Sequence, residues 1–285
     1  MGMDRRQFLV TAAAASVVGA KGRRSVAERA ACSSLAQRMQ PLETAAERIA
    51  GLGYRIVDVS CMGWAPHVDV QALLRDFERE ARRVEGILKD HRLGVSNLTF
   101  DAVDSWEGGF DAWVEGFERV VALAERLETT LVNLMAPRAA FAWDKAVARL
   151  GRAVEAAGAR GVRVSVETHV DQLTERPADA VRLCREVKGL GLTLDPSHFF
   201  AGANQGRPFD EVYALAYGTG IRAGGTTKEE LQKPWGEGPV DFREVVTKLE
   251  GAGYTGYYVA EYLEDYSPED PLVESAKVLA WLRRL

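Results

Sequence analysis

Short apolar runs alternate with longer stretches of helical period along almost the whole chain. Three of the runs, all in the C-terminal half, end on an acid: Val162-Arg163-Val164-Ser165-Val166-Glu167, Leu190-Gly191-Leu192-Thr193-Leu194-Asp195 and Tyr257-Tyr258-Val259-Ala260-Glu261. Their length and β-branched or aromatic content predict buried strands. The N-terminal half predicts four more, over residues 30–34, 55–60, 94–100 and 130–135, and a Gly-rich stretch at 218–225 stands where a seventh in chain order belongs. Between them lie predicted helices over 41–52, 70–91, 110–127, 143–160, from Pro177 onward, 208–217, 241–253 and up to Trp281. The helix at 70–91 is apolar at Leu73, Leu74, Phe77, Ala81, Val84 and Leu88, close to the 3.6-residue period. Pro41 suits a first helical turn, Gly53 a helix end and Asp241 an N-cap.

Eight alternations of short strand and helix without turn-rich hairpin signals predict a parallel sheet. The economical closure is an α/β fold with a single (β/α)8 TIM barrel, since such barrels form one domain at about 250 residues. A doubly wound open sheet is the alternative, but no GxGxxG follows an early strand. The chain has 285 residues, 47% of them hydrophobic and 27% charged, which is ordinary for a soluble globular protein. Its net charge of −5 lacks the basic stripe of a nucleic-acid binder. Three cysteines are too few for a disulfide scaffold and lack the CxxC spacing of a zinc knuckle; Cys32 and Cys61 fall in the first two strands, where buried free thiols are expected, a disulfide in an oxidising compartment being the alternative.

The N-terminus reads as an address. Asp4-Arg5-Arg6-Gln7-Phe8-Leu9 precedes an uncharged, alanine-rich run that ends at Val18-Gly19-Ala20. Paired arginines, a short apolar stretch and a small-residue end in this order resemble a twin-arginine export signal. The run is shorter than the ~20 apolar residues that span a bilayer. Residues 1–20 are therefore expected to be a signal and 21–285 the barrel, with the protein exported to the periplasm or its equivalent and no stable membrane association after cleavage.

At the C-terminal end of a barrel strand a (β/α)8 enzyme builds its active site. Glu167, Asp195 and Glu261 would converge there from strands five, six and eight, with His169 and His198 two and three residues beyond the first two acids. Taken singly, each of these residues, His169 included, could cap a helix or form a surface salt bridge. Together, three acids would repel one another unless a cation or protons compensated. Oxygen ligands with an imidazole suit Mn²⁺, Mg²⁺, Co²⁺ or Zn²⁺. Trp64 and His67 follow strand two and would lie at the barrel mouth, Trp64 as a stacking face for a sugar or as a hydrophobic plug. Asn97 is a weaker candidate for a hydroxyl contact, whereas Trp106 and Trp113 suit packing.

Four motifs in order resemble one superfamily: Val-Glu-Thr-His at 166–169, Leu-Asp-Pro-Ser-His-Phe at 194–199, Gly-Glu-Gly-Pro-Val-Asp-Phe at 236–242 and Gly-Tyr-Thr-Gly-Tyr-Tyr-Val-Ala-Glu at 253–261. It is that of the xylose isomerase-like TIM barrels, the sugar phosphate isomerases and epimerases. The resemblance runs from about Cys32 to the end. It implies a divalent metal held by Glu167, Asp195 and Glu261, with His198 contacting substrate or metal, and proton transfer by Glu167 and Glu261. It also implies a departure. The family's His-x-His-Leu-Arg-Asp-like strand seven reads Gly218-Thr219-Gly220-Ile221-Arg222-Ala223 here, so its histidine ligand falls at Gly220. The metal would then rely on His198 or His169, or be lost. Arg222 keeps the arginine position and could bind an anionic or polyhydroxyl substrate. Residues 224–238 are long and aromatic enough for a substrate lid.

The expectation that follows is an exported, metal-assisted isomerase or epimerase of a sugar or keto-sugar, working through an enediolate, with His169, Arg222, His67 and Trp64 as substrate contacts. A 3-keto-glycoside lyase on the same barrel and a carbohydrate-binding barrel without turnover are the alternatives. A small-molecule sugar is the expected partner, and nucleic acid is not; an apurinic endonuclease would need more histidines and basic loops.

Overall fold

The structure, a computed structural model, describes residues 24–100, 106, 109–264 and 269–285. Residues 1–20, read above as an export signal, lie outside them, as does any test of where the barrel begins. Among the described residues no helix is long and apolar enough to cross a membrane.

Eight parallel strands close into a barrel in chain order: β1 (Ala30–Ser33), β2 (Ile56–Ser60), β3 (Gly94–Phe100), β4 (Leu131–Leu134), β5 (Arg163–Glu167), β6 (Leu190–Leu194), β7 (Ala216–Ile221) and β8 (Tyr258–Ala260). The ring shuts where β1 pairs with β8, Ala31 beside Val259. Around it run α1 (Leu42–Gly51), α2 (Val70–Arg75), α3 (Phe77–Asp90), α4 (Phe110–Arg126), α5 (Trp143–Gly158), α6 (Pro177–Glu186), a short α7 (Pro196–Ala201), α8 (Phe242–Gly251) and α9 (Pro271–Leu282).

Side chains alternate along each strand, and the two faces carry different chemistry. Val57, Val59, Leu98, Val132, Leu134, Val164, Val166, Leu192, Leu194 and Ile221 join the helices in one buried apolar cluster. The other face is polar, and its groups bond across strands. Ser33 Oγ and Thr99 Oγ1 donate to the two oxygens of Asp58 at 2.8 and 2.7 Å, and Ser165 Oγ lies 2.8 Å from Thr193 Oγ1. Burial of such groups is tolerable only when they are paired. The apolar layer holds the barrel together, and the polar face carries the functional end.

Two expected helices come out differently. The helix predicted over 70–91 breaks at Asp76, whose carboxylate accepts from Arg79 N at 3.1 Å and caps α3; a side-chain acceptor at this point competes with continuing the helix. The helix predicted over 208–217 is a 3₁₀ turn from Asp210 to Leu215, and its last two residues open β7. Space accounts for one glycine in the neighbouring strand. A Cβ on Gly191 of β6 would stand 2.3 Å from the ring of Tyr217. Gly191→Ala is therefore expected to destabilise by about 1–3 kcal/mol, the usual cost of overpacking, and to lower the melting temperature by roughly 2–4 °C per kcal/mol. A thermal melt indistinguishable from the parent's would contradict this tight contact.

Candidate active site

The three acids are delivered by strand ends. Glu167 is the last residue of β5, Asp195 follows β6, and Glu261 follows β8 with its amide donating to Ile221 O at 3.1 Å. The ends of β5 and β6 are laced together: Thr168 N donates to Thr193 O, Asp195 N donates to Thr168 Oγ1 at 3.0 Å, and Thr168 Oγ1 donates to Asp195 O at 3.2 Å. One carboxylate oxygen from each of Glu167, Asp195 and Glu261 falls within 4.8 Å of the others. Glu167, His169 and His198 form a second group on the same criterion.

Asp195 is fully buried and doubly engaged. Its Oδ1 accepts Ser197 N at 2.9 Å, capping α7, in which Pro196 suits the first turn. Its Oδ2 accepts Arg222 Nη2 at 2.8 Å. The same guanidinium nitrogen lies 3.0 Å from His198 Nε2. Arginine can only donate, so in this contact His198 Nε2 is the acceptor, while the Val170 amide points at Nδ1 from 3.5 Å. Burial agrees, pushing the His198 pKa down to about 4. The ring of His169 packs 4.0 Å from that of His198, with Nδ1 bonded to Val170 O at 2.7 Å. Burial first and His198 second hold its pKa well below the ordinary value.

The two glutamates are pushed the other way. Burial, then the charge of Asp195, raises Glu167 to about 8, with Arg222 opposing. Burial, then Glu167, raises Glu261 well above the usual carboxylate range. The pair therefore holds a proton more strongly than free carboxyls do unless a further cation enters. Carboxyls whose pKa is higher in the folded than in the unfolded chain cost stability as pH rises between those two values. The buried histidines act in the opposite sense, but their cost is confined below their unfolded value near 6.5. From pH 6.5 to 8, in chelator, the melting temperature is expected to fall, and a divalent ion to narrow the drop. A flat profile across that window would contradict the raised glutamates.

The structure thus brings together Glu167, Asp195, Glu261, His198, His169 and Arg222. It leaves His67 and Trp64 elsewhere. His67 is buried with Nε2 between Gln37 O and Gln40 O, 3.2 and 3.1 Å away, a clasp on the β1–α1 connection and not an open face. Trp64 is 45% exposed, and the guanidinium of Arg38 stands 5.6 Å above its ring. Asn97 donates to Asp58 Oδ1 at 2.7 Å. The 224–238 segment is anchored beside the mouth: Gln232 donates to Leu263 O at 2.9 Å and accepts from Leu263 N at 2.7 Å. Trp235, expected in a lid, packs against Phe242 and Trp281 with centroids 5.0 and 5.2 Å away. A cavity of about 870 Å³ between α2 and α4, lined by Cys61, Met62, Val70, Leu74, Phe100 and Trp113, is largely apolar and contains none of the three acids.

Two polar residues were missed by sequence reasoning. Asp58, raised to about 6 by burial, sits in Ile56-Val57-Asp58-Val59, and an acid inside so apolar a run was a legible signal. Asn133, buried beside Ser165, helps hold the Glu167 pKa down and left no signal, because an asparagine in a strand is ambiguous without its neighbours. The donor set suits a divalent cation: three hard carboxylate oxygens from three strand ends, with excess negative charge that Arg222 alone does not offset.

The fold and site define a class, (β/α)8 barrels with a buried carboxylate cluster at the C-terminal strand ends. Residues 46–285 match the family described as Xylose isomerase-like TIM barrel, and the chain belongs to it. A search of the curated proteins finds no match. Among solved structures, a xylose isomerase-like TIM barrel protein from Mycobacterium smegmatis in complex with magnesium superposes with TM-score 0.72 at 18% identity, over 90% of this chain and 95% of that one. The probable 3-DHS dehydratase AsbF from Bacillus anthracis, involved in petrobactin synthesis, gives 0.69 at 18%, over 88% and 98%. The 3-keto-D-glucoside 4-epimerase YcjR from E. coli gives 0.65 at 17%, over 90% and 99%. At such identities these likenesses establish the shared fold.

Proposed function

We propose that the protein is an isomerase or epimerase of a sugar or keto-sugar that moves a proton next to a carbonyl. The observation that carries this reading is the Glu167–Asp195–Glu261 cluster, whose oxygens lie within 4.8 Å of one another at the barrel mouth. Two glutamates with raised pKa values can hold one proton between them near neutrality. The ionised one removes a carbon-bound proton and the protonated one returns a proton from its own side, giving epimerisation or a carbonyl shift. Glu167, Asp195 and Glu261, with His198 if its Nε2 is freed, would hold a divalent ion (Mn²⁺, Mg²⁺, Co²⁺ or Zn²⁺). When bound, such an ion supplies Lewis-acid stabilisation of the developing enediolate charge. His169, at the edge of the cluster, and Arg222 would contact substrate hydroxyls.

A second reading, elimination from a 3-keto-glycoside, begins with the same proton abstraction; that one neighbour is a probable dehydratase and another acts on a 3-keto-D-glucoside supports it. The bare Gly220 supports a third, a carbohydrate-binding barrel without turnover. Residues 1–20 are proposed as a twin-arginine signal that directs the protein to the periplasm, which cell fractionation with the Arg5-Arg6 pair replaced by lysines would check.

The test of function is incubation in D₂O with each divalent ion and a panel of ketoses and 3-keto-glycosides. Deuterium appearing at carbon beside the carbonyl, with epimer or isomer, is the expected result; an elimination product would select the lyase. Sugar binding without exchange would leave the binding barrel.

A further inference from the structure

We propose that Arg222 is the built-in cation of this site, competing with a divalent ion for Asp195 and His198. The inference deepens the proposed function by naming what sets the ion affinity of the cluster. Three observations carry it.

First, Gly220 points its missing side chain into the cluster. A Cβ there would stand 2.7 Å from Glu261 Oε2 and 3.2 Å from Asp195 Cβ, so the two acids fill the position a side chain would take and β7 supplies no ligand there. Second, Arg222 lies two residues further on, with β7 ending at Ile221, and two-residue spacing puts both on one face. It is only 5% exposed, and one of its nitrogens meets Asp195 Oδ2 at 2.8 Å and His198 Nε2 at 3.0 Å.

Third, the acceptors it uses are those an ion would need. A neutral imidazole has one ring lone pair, so His198 Nε2 cannot ligate a metal while it accepts from Arg222. Asp195 Oδ1 already accepts the Ser197 amide, and its Oδ2 accepts the guanidinium. Glu167 and Glu261 remain for an ion, but full use of Asp195 and His198 requires the guanidinium to leave. Because Arg222 is tethered, it occupies those acceptors without the translational loss a free ion incurs.

The experiment is calorimetric titration of MnCl₂ into the full-length protein and its Arg222→Met and Arg222→Lys variants, each checked by thermal melt. A charge within ~4–6 Å moves a neighbour's ion equilibrium by at least about tenfold. Arg222→Met is thus expected to bind Mn²⁺ at least about tenfold more tightly, with Arg222→Lys nearer the parent. Equal or weaker binding by a folded Arg222→Met, or no binding by either protein, overturns the proposal. A second measurement uses the unaltered protein and does not depend on the variant folding. Saturating Mg²⁺ is expected to shift the Arg222 guanidinium resonances in a ¹⁵N side-chain spectrum, and unmoved resonances at saturation overturn the proposal. Both read ion binding alone, whereas the proton-transfer reading stands or falls on deuterium exchange, so the two fail separately.

Discussion

Glu167→Gln is expected to lower turnover on the true substrate by about 10²–10⁴-fold, the range a positioned acid or base contributes. Glutamine keeps the volume and most of the hydrogen bonding at the end of β5 but neither takes nor gives a proton. The charge of Glu167 is the largest cause after burial that raises Glu261. Its removal should therefore also bring the Glu261 pKa down and shift the surviving pH–rate profile toward acid. A merely structural role for Glu167 would not move that profile. Glu261→Gln should lose activity on the same scale, and solvent deuterium should no longer enter the substrate carbon in one or both variants. Turnover within about tenfold of the parent in both variants would contradict the two-glutamate mechanism.

Asp195→Ala carries the largest expected effect on stability. The Asp195–Arg222 pair is buried, with exposures of 0% and 6% for the two side chains. Removing one partner of such a buried pair typically costs about 3–5 kcal/mol. Loss of the α7 cap from Asp195 Oδ1 to Ser197 N adds about 1 kcal/mol. The melting temperature should fall by roughly 2–4 °C for each kcal/mol lost. Asp195→Asn retains one acceptor, for either Ser197 N or Arg222, and should fall less. If alanine and asparagine melt alike and near the parent, the pair contributes little and Arg222 is held by something else.

Much of the fold was legible because barrel strands and helices carry different periods. The strand ends at Glu167, Asp195 and Glu261 were readable as acids closing apolar runs, and the structure places all three at one end of a closed barrel. The elements that came out differently depended on local competition. Asp76 breaks a periodic helix with its own side chain, and residues 210–215 tighten into a 3₁₀ turn before β7. His67 and Trp64 followed a strand end, as mouth residues do, yet the loop turns His67 inward onto two carbonyls. Asp58 could have been found from its apolar setting, whereas Asn133 could not.

By itself the sequence determined the class of fold, the number of strands, the family and the three converging acids, because these follow from periodicity and from residues fixed at strand ends. It also determined that Gly220 offers no ligand. Only the tertiary structure decided which cation meets the acids. Arg222, His198 and Asp195 come from two neighbouring strand ends and a short helix, and a guanidinium 2.8 Å from one and 3.0 Å from the other is a matter of side-chain reach across the barrel mouth. The raised glutamates and the neutral histidines have the same origin. Burial and the sum of nearby charges set them, and both are properties of the closed barrel that no single segment of chain possesses.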